Sequence, residues 1–247
     1  MTTQQPTKKG LKDWFPIAEQ EVALLYPVVS LSDLQDELWQ MLASVYEDLD
    51  AIAEQQRRET GPWCEDNCGR CCLEAPVVSL MECSLVVMYL QDLPNGQMRS
   101  MVHRVNNWLR QPPRSEEKRQ AGKCPFLDPA HRCSIYSVRP FTCRAYGVIQ
   151  GMDCFCPAWR KAQKEGGHPI IVGEAVDSLY LHMAKILALI KRHIPANDHA
   201  MFLPAGVALI LNGGSLLPQE TEALGWDKRK LIYFPTLPAT SFNLPGQ

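Results

Sequence analysis

Residues 64–72 read CEDNCGRCC and place four cysteines within nine positions. A cysteine thiolate is the protein ligand that zinc, copper(I) and iron–sulfur clusters prefer. The chain has ten cysteines, and nine of them fall into two groups whose spacing is typical of metal binding rather than of core packing. We therefore expect the chemistry of this protein to start at the cysteines. The second group comprises Cys124, Cys133, Cys143, Cys154 and Cys156.

The composition is that of an ordinary globular protein, and its charge balance indicates which classes of binding partner are not expected. The 247 residues include 46% hydrophobic side chains, and the net charge is only −2. This balance argues against sequence-independent binding to nucleic acid or to an anionic membrane. No apolar run approaches the ~18 residues of a membrane span, and residues 1–10 are too polar for a secretory signal. We expect a cytoplasmic protein, whose reducing surroundings favour metal binding over disulfides.

Hydrophobic periodicity predicts a mainly α fold, a helical protein around a loop-rich, metal-stapled cysteine core. In residues 31–59 the apolar side chains recur at steps of three or four, which lines one face of a long helix. We expect this face to pack within its own domain, and a partner or dimer helix is the alternative. The same pattern predicts shorter helices at 80–93, 97–110 and 172–194.

Turn-forming residues predict irregular structure elsewhere. Residues 1–30 contain three prolines and are predicted to be irregular. Residues 122–157, which carry the second cysteine group, favour short segments over long helices. The apolar run at 202–211 is typical of either a helix or a strand.

Four segments are predicted along the chain. The tail at 235–247 is predicted to lie on the surface or to wrap around a protein partner, and neither a nucleic-acid partner nor a membrane span is expected. The segments are an N-terminal extension with the long helix at 1–60, a cysteine-cluster metal-binding domain at 61–165, an amphipathic helix packing on the core at 166–195, and a proline-rich C-terminal extension at 196–247.

The first cysteine group has the spacing of a compact metal site. A loop running into a turn can direct Cys64, Cys68 and Cys71 at one site, with Gly69 giving the backbone freedom to bend. Cys72 is adjacent to Cys71, and neighbouring side chains diverge. We therefore expect Cys72 to serve a second metal or another edge of a polynuclear centre.

Five motifs of the cysteine region follow one another in a specific order. They are CGRCC at 68–72, CPFL at 124–127, CSIY at 133–136, RP at 139–140 and CRAY at 143–146. Together they resemble the YkgJ-like cysteine-cluster family, a CxxCxxCC zinc- or iron-chelating domain, over about residues 60–165. The first spacing, Cys64-x3-Cys68, is one residue longer than the signature. The resemblance implies eight metal ligands, with Cys154 spare: Cys64, Cys68, Cys71, Cys72, Cys124, Cys133, Cys143 and Cys156.

Zinc and an iron–sulfur centre are both compatible with this ligand set. Two zinc ions with four thiolates each would form purely structural sites, whereas an iron–sulfur cluster needs only four. The family's cysteine domain is also similar to that of flagellin lysine N-methylases, which implies an iron–sulfur cluster and an enzyme as the alternative. The CxxxCxxC spacing also occurs in radical S-adenosylmethionine enzymes, but the chain lacks their regular strand–helix alternation. No GxSxG, phosphate-binding glycine loop or HExxH motif is present.

Four further side chains are predicted to bind the cofactor by donating hydrogen bonds to thiolate sulfur or by neutralising its charge. For Arg139 an ion pair with a carboxylate is an equal alternative, and Tyr136 has the alternative of a core aromatic. Cys83 lies in an apolar helix and is predicted to be a buried, inert thiol. The four predicted cofactor-binding residues are Lys123, Tyr136, Arg139 and Arg144.

Overall fold

The computed structural model describes residues 11–25, 31–60, 69–73, 76–110, 124–149, 152, 154, 156–166, 174–193 and 200–211. Within these ranges eight α-helices and two short strands make the fold mainly helical, as the periodicity predicts. No helix in the described ranges is long and apolar enough to cross a membrane. In chain order the elements are α1 (Leu11–Leu25), α2 (Leu31–Thr60), β1 (Val77–Ser79), α3 (Leu80–Asp92), α4 (Asn95–Leu109), α5 (Phe141–Ala145), α6 (Pro157–Lys164), α7 (Glu174–His193), β2 (Ala200–Phe202) and α8 (Leu203–Leu211).

The chain divides into two compact units, each built from two stretches of sequence. The first unit contains Met1–Glu65 and Arg144–Pro195, and the second contains Asp66–Cys143 and Ala196–Gln247. The four segments expected from the sequence stay a prediction, and the tail at 235–247 lies outside the described residues.

The first unit has its core where α7 packs against α1 and α2. Four buried aliphatic side chains of α2 are spaced by four, three and four residues, so they share one face of the helix. The apolar face of α2 therefore packs within its own unit, which was the favoured expectation. The side chains of residues 31–36 lie outside the described part of the chain. The four aliphatic residues are Leu38, Leu42, Val45 and Leu49.

The prediction of irregular structure at the N-terminus is wrong for residues 11–25, which form α1 despite Pro16. Proline removes one backbone donor from a helix and is costly in its interior. Here Pro16 is exposed, while Ala18 and Val22 on the opposite face are almost completely buried. Packing of this face against α7 outweighs the local preference.

The second unit is organised around a two-stranded antiparallel sheet and three helices. β1 pairs with β2, with Val77 opposite Phe202 and Ser79 opposite Ala200, and α8 packs against both α3 and α4. The apolar run at 202–211 thus provides the last strand residue and then a helix that is buried from Leu203 to Leu209. This resolves the ambiguity between helix and strand that the sequence leaves open.

Candidate metal centre

Five described cysteines of the predicted ligand set lie in the second unit. Cys71 and Cys72 stand in a 3-10 turn at Arg70–Leu73, and Cys143 stands in α5. Cys124 and Cys133 stand at the two ends of a tight loop, which an isolated bridge between Leu127 and Cys133 closes. The unit therefore brings members of both sequence groups into the same fold. Cys64, Cys68 and Lys123 lie outside the described residues.

Backbone hydrogen bonds join the two cysteine groups. The N–H of Cys124 donates to the carbonyl oxygen of Cys72 over 2.7 Å, and the N–H of Cys72 donates to Gly69 over 3.0 Å. Gly69 has a φ of +54°, and a Cβ built there would lie 3.1 Å from a methyl group of Leu127. The 3-10 turn thus packs against the Cys124–Cys133 loop, at a position that favours glycine.

The Cys124–Cys133 loop is held in shape by its own hydrogen bonds. The N–H of Ser134 donates to Phe126 over 2.8 Å, and the Phe126 side chain is fully buried. At the tip of the loop, the backbone and the guanidinium of Arg132 both donate to the Asp128 carboxylate. These bonds, with the guanidinium charge, hold the pKa of Asp128 below its usual value. A short loop with this many internal bonds presents its two cysteines in a defined arrangement.

The thiols of both groups interact directly. Cys72 shares hydrogen bonds with the thiols of Cys133 and Cys71, and these bonds, followed by burial, raise the pKa of Cys72 well above its ordinary value. Burial raises the pKa of Cys124 to about 12, with further contributions from Cys133 and Cys71. Burial also raises the pKa of Cys143, and nearby Cys124, Cys133 and Cys71 add to the effect. In the metal-free protein these thiols are therefore protonated at neutral pH.

The five thiols supply the donor type of a soft-metal site, but they do not stand in a finished coordination shell. Among the described residues, no group of three or more His, Cys, Asp or Glu side chains has the arrangement needed to hold a metal ion. None of the eight described cysteines forms a disulfide. Thiolate ligands must lose their protons when a metal binds, so metal binding at these cysteines would depend on pH.

Cys156, the eighth predicted ligand, belongs to the first unit together with Cys154. Both are buried, and the backbone N–H of Cys156 contacts the sulfur of Cys154 at 3.4 Å. Pro157 follows at the first position of α6. The assignment of Cys156 to the metal centre stays a prediction.

The predicted cofactor-binding side chains have contacts of their own. The Arg139 guanidinium stacks over the ring of Tyr136 at 3.9 Å, and Tyr136 is 53% exposed rather than a core aromatic. In the first unit, Arg144 is buried, forms an ion pair with Asp50 and lies over the ring of Tyr46 at 4.3 Å. Binding of a cofactor by Arg139, Tyr136 and Arg144 stays a prediction.

Two residues of the second unit that were not predicted from the sequence lie beside the cysteines. Arg104 of α4 donates to the carbonyl oxygen of Leu127 over 3.2 Å. Burial raises the pKa of Cys124, and the positive charge of Arg104 partly opposes this effect. Glu82 of α3 is 3% exposed and lies close enough to add to the raised pKa of Cys143, which burial dominates. The Ser79-x-x-Glu82 spacing of a capping box was a usable signal for Glu82, but the position of Arg104 carries no comparable signal.

Residues 63–157 match the model of the CxxCxxCC family, described as "Putative zinc- or iron-chelating domain". The chain contains a CxxCxxCC domain. The match confirms the family resemblance that the cysteine motifs carry, and it includes all nine cysteines of the two groups. No similar protein was found among the curated proteins, and none among the solved structures.

Proposed function

We propose that the protein holds zinc or an iron–sulfur centre through the thiolates of both cysteine groups. The observation that carries this proposal is the interaction of the Cys72 thiol with Cys133 of the second group as well as with its neighbour Cys71. The description of the CxxCxxCC domain as zinc- or iron-chelating supports it independently. The proposed ligands are Cys64, Cys68, Cys71, Cys72, Cys124, Cys133, Cys143 and Cys156.

The chemistry of the donors favours zinc or iron over hard cations. Thiolates bind zinc and iron–sulfur clusters, whereas magnesium and calcium require oxygen ligands. Binding replaces the thiol protons by the metal, which removes the repulsion that keeps several thiolates from coexisting. Arg104 is placed to offset the negative charge that remains near Cys124.

The main role that we propose for the metal is structural. The segment from Cys124 to Arg139 consists of turns, a bridge and one 3-10 turn rather than long helices, and such a segment gains stability from a metal that joins its ends to the Arg70–Leu73 turn. A cytoplasmic location would keep the thiols reduced for this purpose. In this role the tail at 235–247 or the helix at 31–59 would contact a protein partner.

A second candidate is an iron–sulfur-dependent enzyme, either redox-active or similar to a protein lysine N-methylase. Four thiolates hold an iron–sulfur cluster, and the five interacting thiols of the second unit are enough for one such cluster. The iron-chelating part of the domain description agrees with it.

Purification of the full-length protein without oxygen, followed by metal and sulfide analysis, tests the proposal. A colourless protein with about two zinc ions per chain and no sulfide would support the structural role. A brown protein with equal iron and acid-labile sulfide would support the second candidate. A folded protein with reduced cysteines and neither metal would overturn both.

A further inference from the structure

Glu82 accepts three hydrogen bonds that use both of its carboxylate oxygens. Oε2 accepts from the backbone N–H and from the hydroxyl of Ser79, each over 2.9 Å. Oε1 accepts from the backbone N–H of Phe141 over 2.7 Å, across 59 residues of sequence. A buried carboxylate is costly unless it is hydrogen-bonded, and here the bonds connect the start of α3 to the start of α5.

The Ser79 end of this connection is fixed. The hydroxyl of Ser79 accepts the N–H of Glu82, which completes the capping box of α3. The backbone of Ser79 also belongs to β1, paired with Ala200 of β2. The carboxylate is therefore held by a helix and a strand, and it cannot move without breaking the cap.

The other end reaches a predicted metal ligand. Phe141 is the first residue of α5, and Cys143 lies two residues further along the same helix. The hydroxyl of Thr142 adds a second link by donating to the carbonyl oxygen of Val77 over 3.3 Å. Two consecutive residues before Cys143 are thus tied to the β1–α3 junction, which sets the direction of α5.

We infer that Glu82 is the positioning residue that fixes Cys143 in the metal centre through the N–H of Phe141. This inference rests on the proposed metal-binding function. The proximity of Glu82 to the Cys143 thiol agrees with it, because Cys124, Cys133, Cys71 and Glu82 all act on that thiol in addition to its burial. Loss of an outer hydrogen-bonding partner of a ligand typically weakens metal binding by about 10–100-fold.

The test compares Glu82→Gln with Ser84→Ala in the full-length protein. Glutamine keeps the shape but puts an NH2 group where an acceptor is needed. Ser84→Ala removes another buried hydrogen bond of α3, from the Ser84 hydroxyl to Leu80, that does not reach α5. Zinc(II) affinity is measured by competition with a chelator, and each thiol of the zinc-loaded protein is tested for alkylation by mass spectrometry.

We expect Glu82→Gln to weaken zinc binding by about tenfold or more and to expose Cys143 to alkylation while Cys71 and Cys133 stay protected. Ser84→Ala should change neither reading. If Glu82→Gln does not fold, Thr142→Val is used, with the same direction and a smaller effect. Unchanged affinity and continued protection of Cys143 would overturn the inference, even if only the melting temperature fell. Failure of the wild-type protein to bind zinc or iron would instead overturn the proposed function.

Discussion

The backbone N–H of Cys124 donates a hydrogen bond of 2.7 Å to the carbonyl oxygen of Cys72. The two residues are 52 positions apart, and they belong to different cysteine groups. Main-chain groups are less adjustable than side chains, so this bond fixes the start of the second group against the end of the first. The two groups should therefore act together rather than as two separate sites.

Loss of a single thiol from either group should release metal. We expect Cys72→Ala and Cys133→Ala each to lower zinc affinity by more than the roughly 10–100-fold that loss of an outer partner costs. Metal content of the purified variants and chelator competition measure this. Cys83→Ala is the matched control, because Cys83 is fully buried and near the carbonyl of Leu203. If Cys133→Ala kept its full metal content, the proposal that both cysteine groups bind the same metal centre would be wrong.

Gly69→Ala should destabilise the second unit. Its φ of +54° strains any residue that has a Cβ, and a Cβ there would lie 3.1 Å from a methyl group of Leu127, which would have to shift. A non-glycine residue in this conformation costs about 1–2 kcal/mol before any steric contact is counted. Chemical unfolding of the metal-free protein measures the loss.

Substitutions at two other glycines distinguish the free-energy cost of backbone strain from that of steric contact. Gly166 has a φ of +71° but open space around its Cβ position, so Gly166→Ala should cost only the backbone strain. Gly96 lies in α4 with open space, and Gly96→Ala should stabilise by about 0.5–1 kcal/mol. An equal loss of stability in Gly69→Ala and Gly166→Ala would contradict the packing of the turn against the loop.

Acid and alkali should affect the metal-bound and metal-free proteins in opposite ways. Folding raises the pKa of Cys124 from the ordinary 9.0 to about 12, so its contribution to stability is complete below pH 9 and is lost as the pH rises toward 12. The metal-bound form needs thiolates, so its affinity falls as the pH falls. Melting curves of both forms at about pH 6, 8 and 10 test whether stability changes with pH in these directions. Zinc affinity that rose on acidification would contradict them.

Arg104 should strengthen metal binding through its charge. We expect Arg104→Met to weaken zinc affinity by about tenfold, which is within the range for residues that support metal ligands from outside. Burial raises the pKa of Cys124, and the substitution removes a positive charge that lowers it. Arg104→Lys should restore part of the loss. The control is Arg99→Met on the same helix, where Arg99 is exposed and, within the described part of the chain, donates to Asn95. Equal zinc affinities of Arg104→Met and Arg99→Met would refute the proposed effect of the Arg104 charge on metal binding.

The long helices could be predicted from the sequence, because periodicity is a local property. The helices predicted at 80–93 and 97–110 agree with α3 and α4 to within about three residues at each end. The strand pair could not be predicted, because β1 and β2 have three residues each and lie more than 120 positions apart. α1 was missed because Pro16 is a strong local signal against a helix, whereas the packing that stabilises it comes from α7.

The cysteines of the candidate site could be identified from the sequence, and their role as metal ligands stays a prediction, whereas the residues around them could not be identified. The spacing of the cysteines and the family motifs name the thiols directly. The contact between Glu82 and the N–H of Phe141 depends on how the chain returns after 59 residues, which no local pattern encodes. The same holds for Arg104 and Leu127.

Alkylation of individual cysteines before and after metal removal tests most directly whether both groups bind one centre. Cys71, Cys72 and Cys133 are only partly buried, so burial alone does not protect them. In the anaerobically purified, metal-loaded protein we expect all three to resist alkylation, and to react together once a chelator removes the metal. Protection of Cys71 and Cys72 with Cys133 reactive throughout would contradict a centre shared by the two groups.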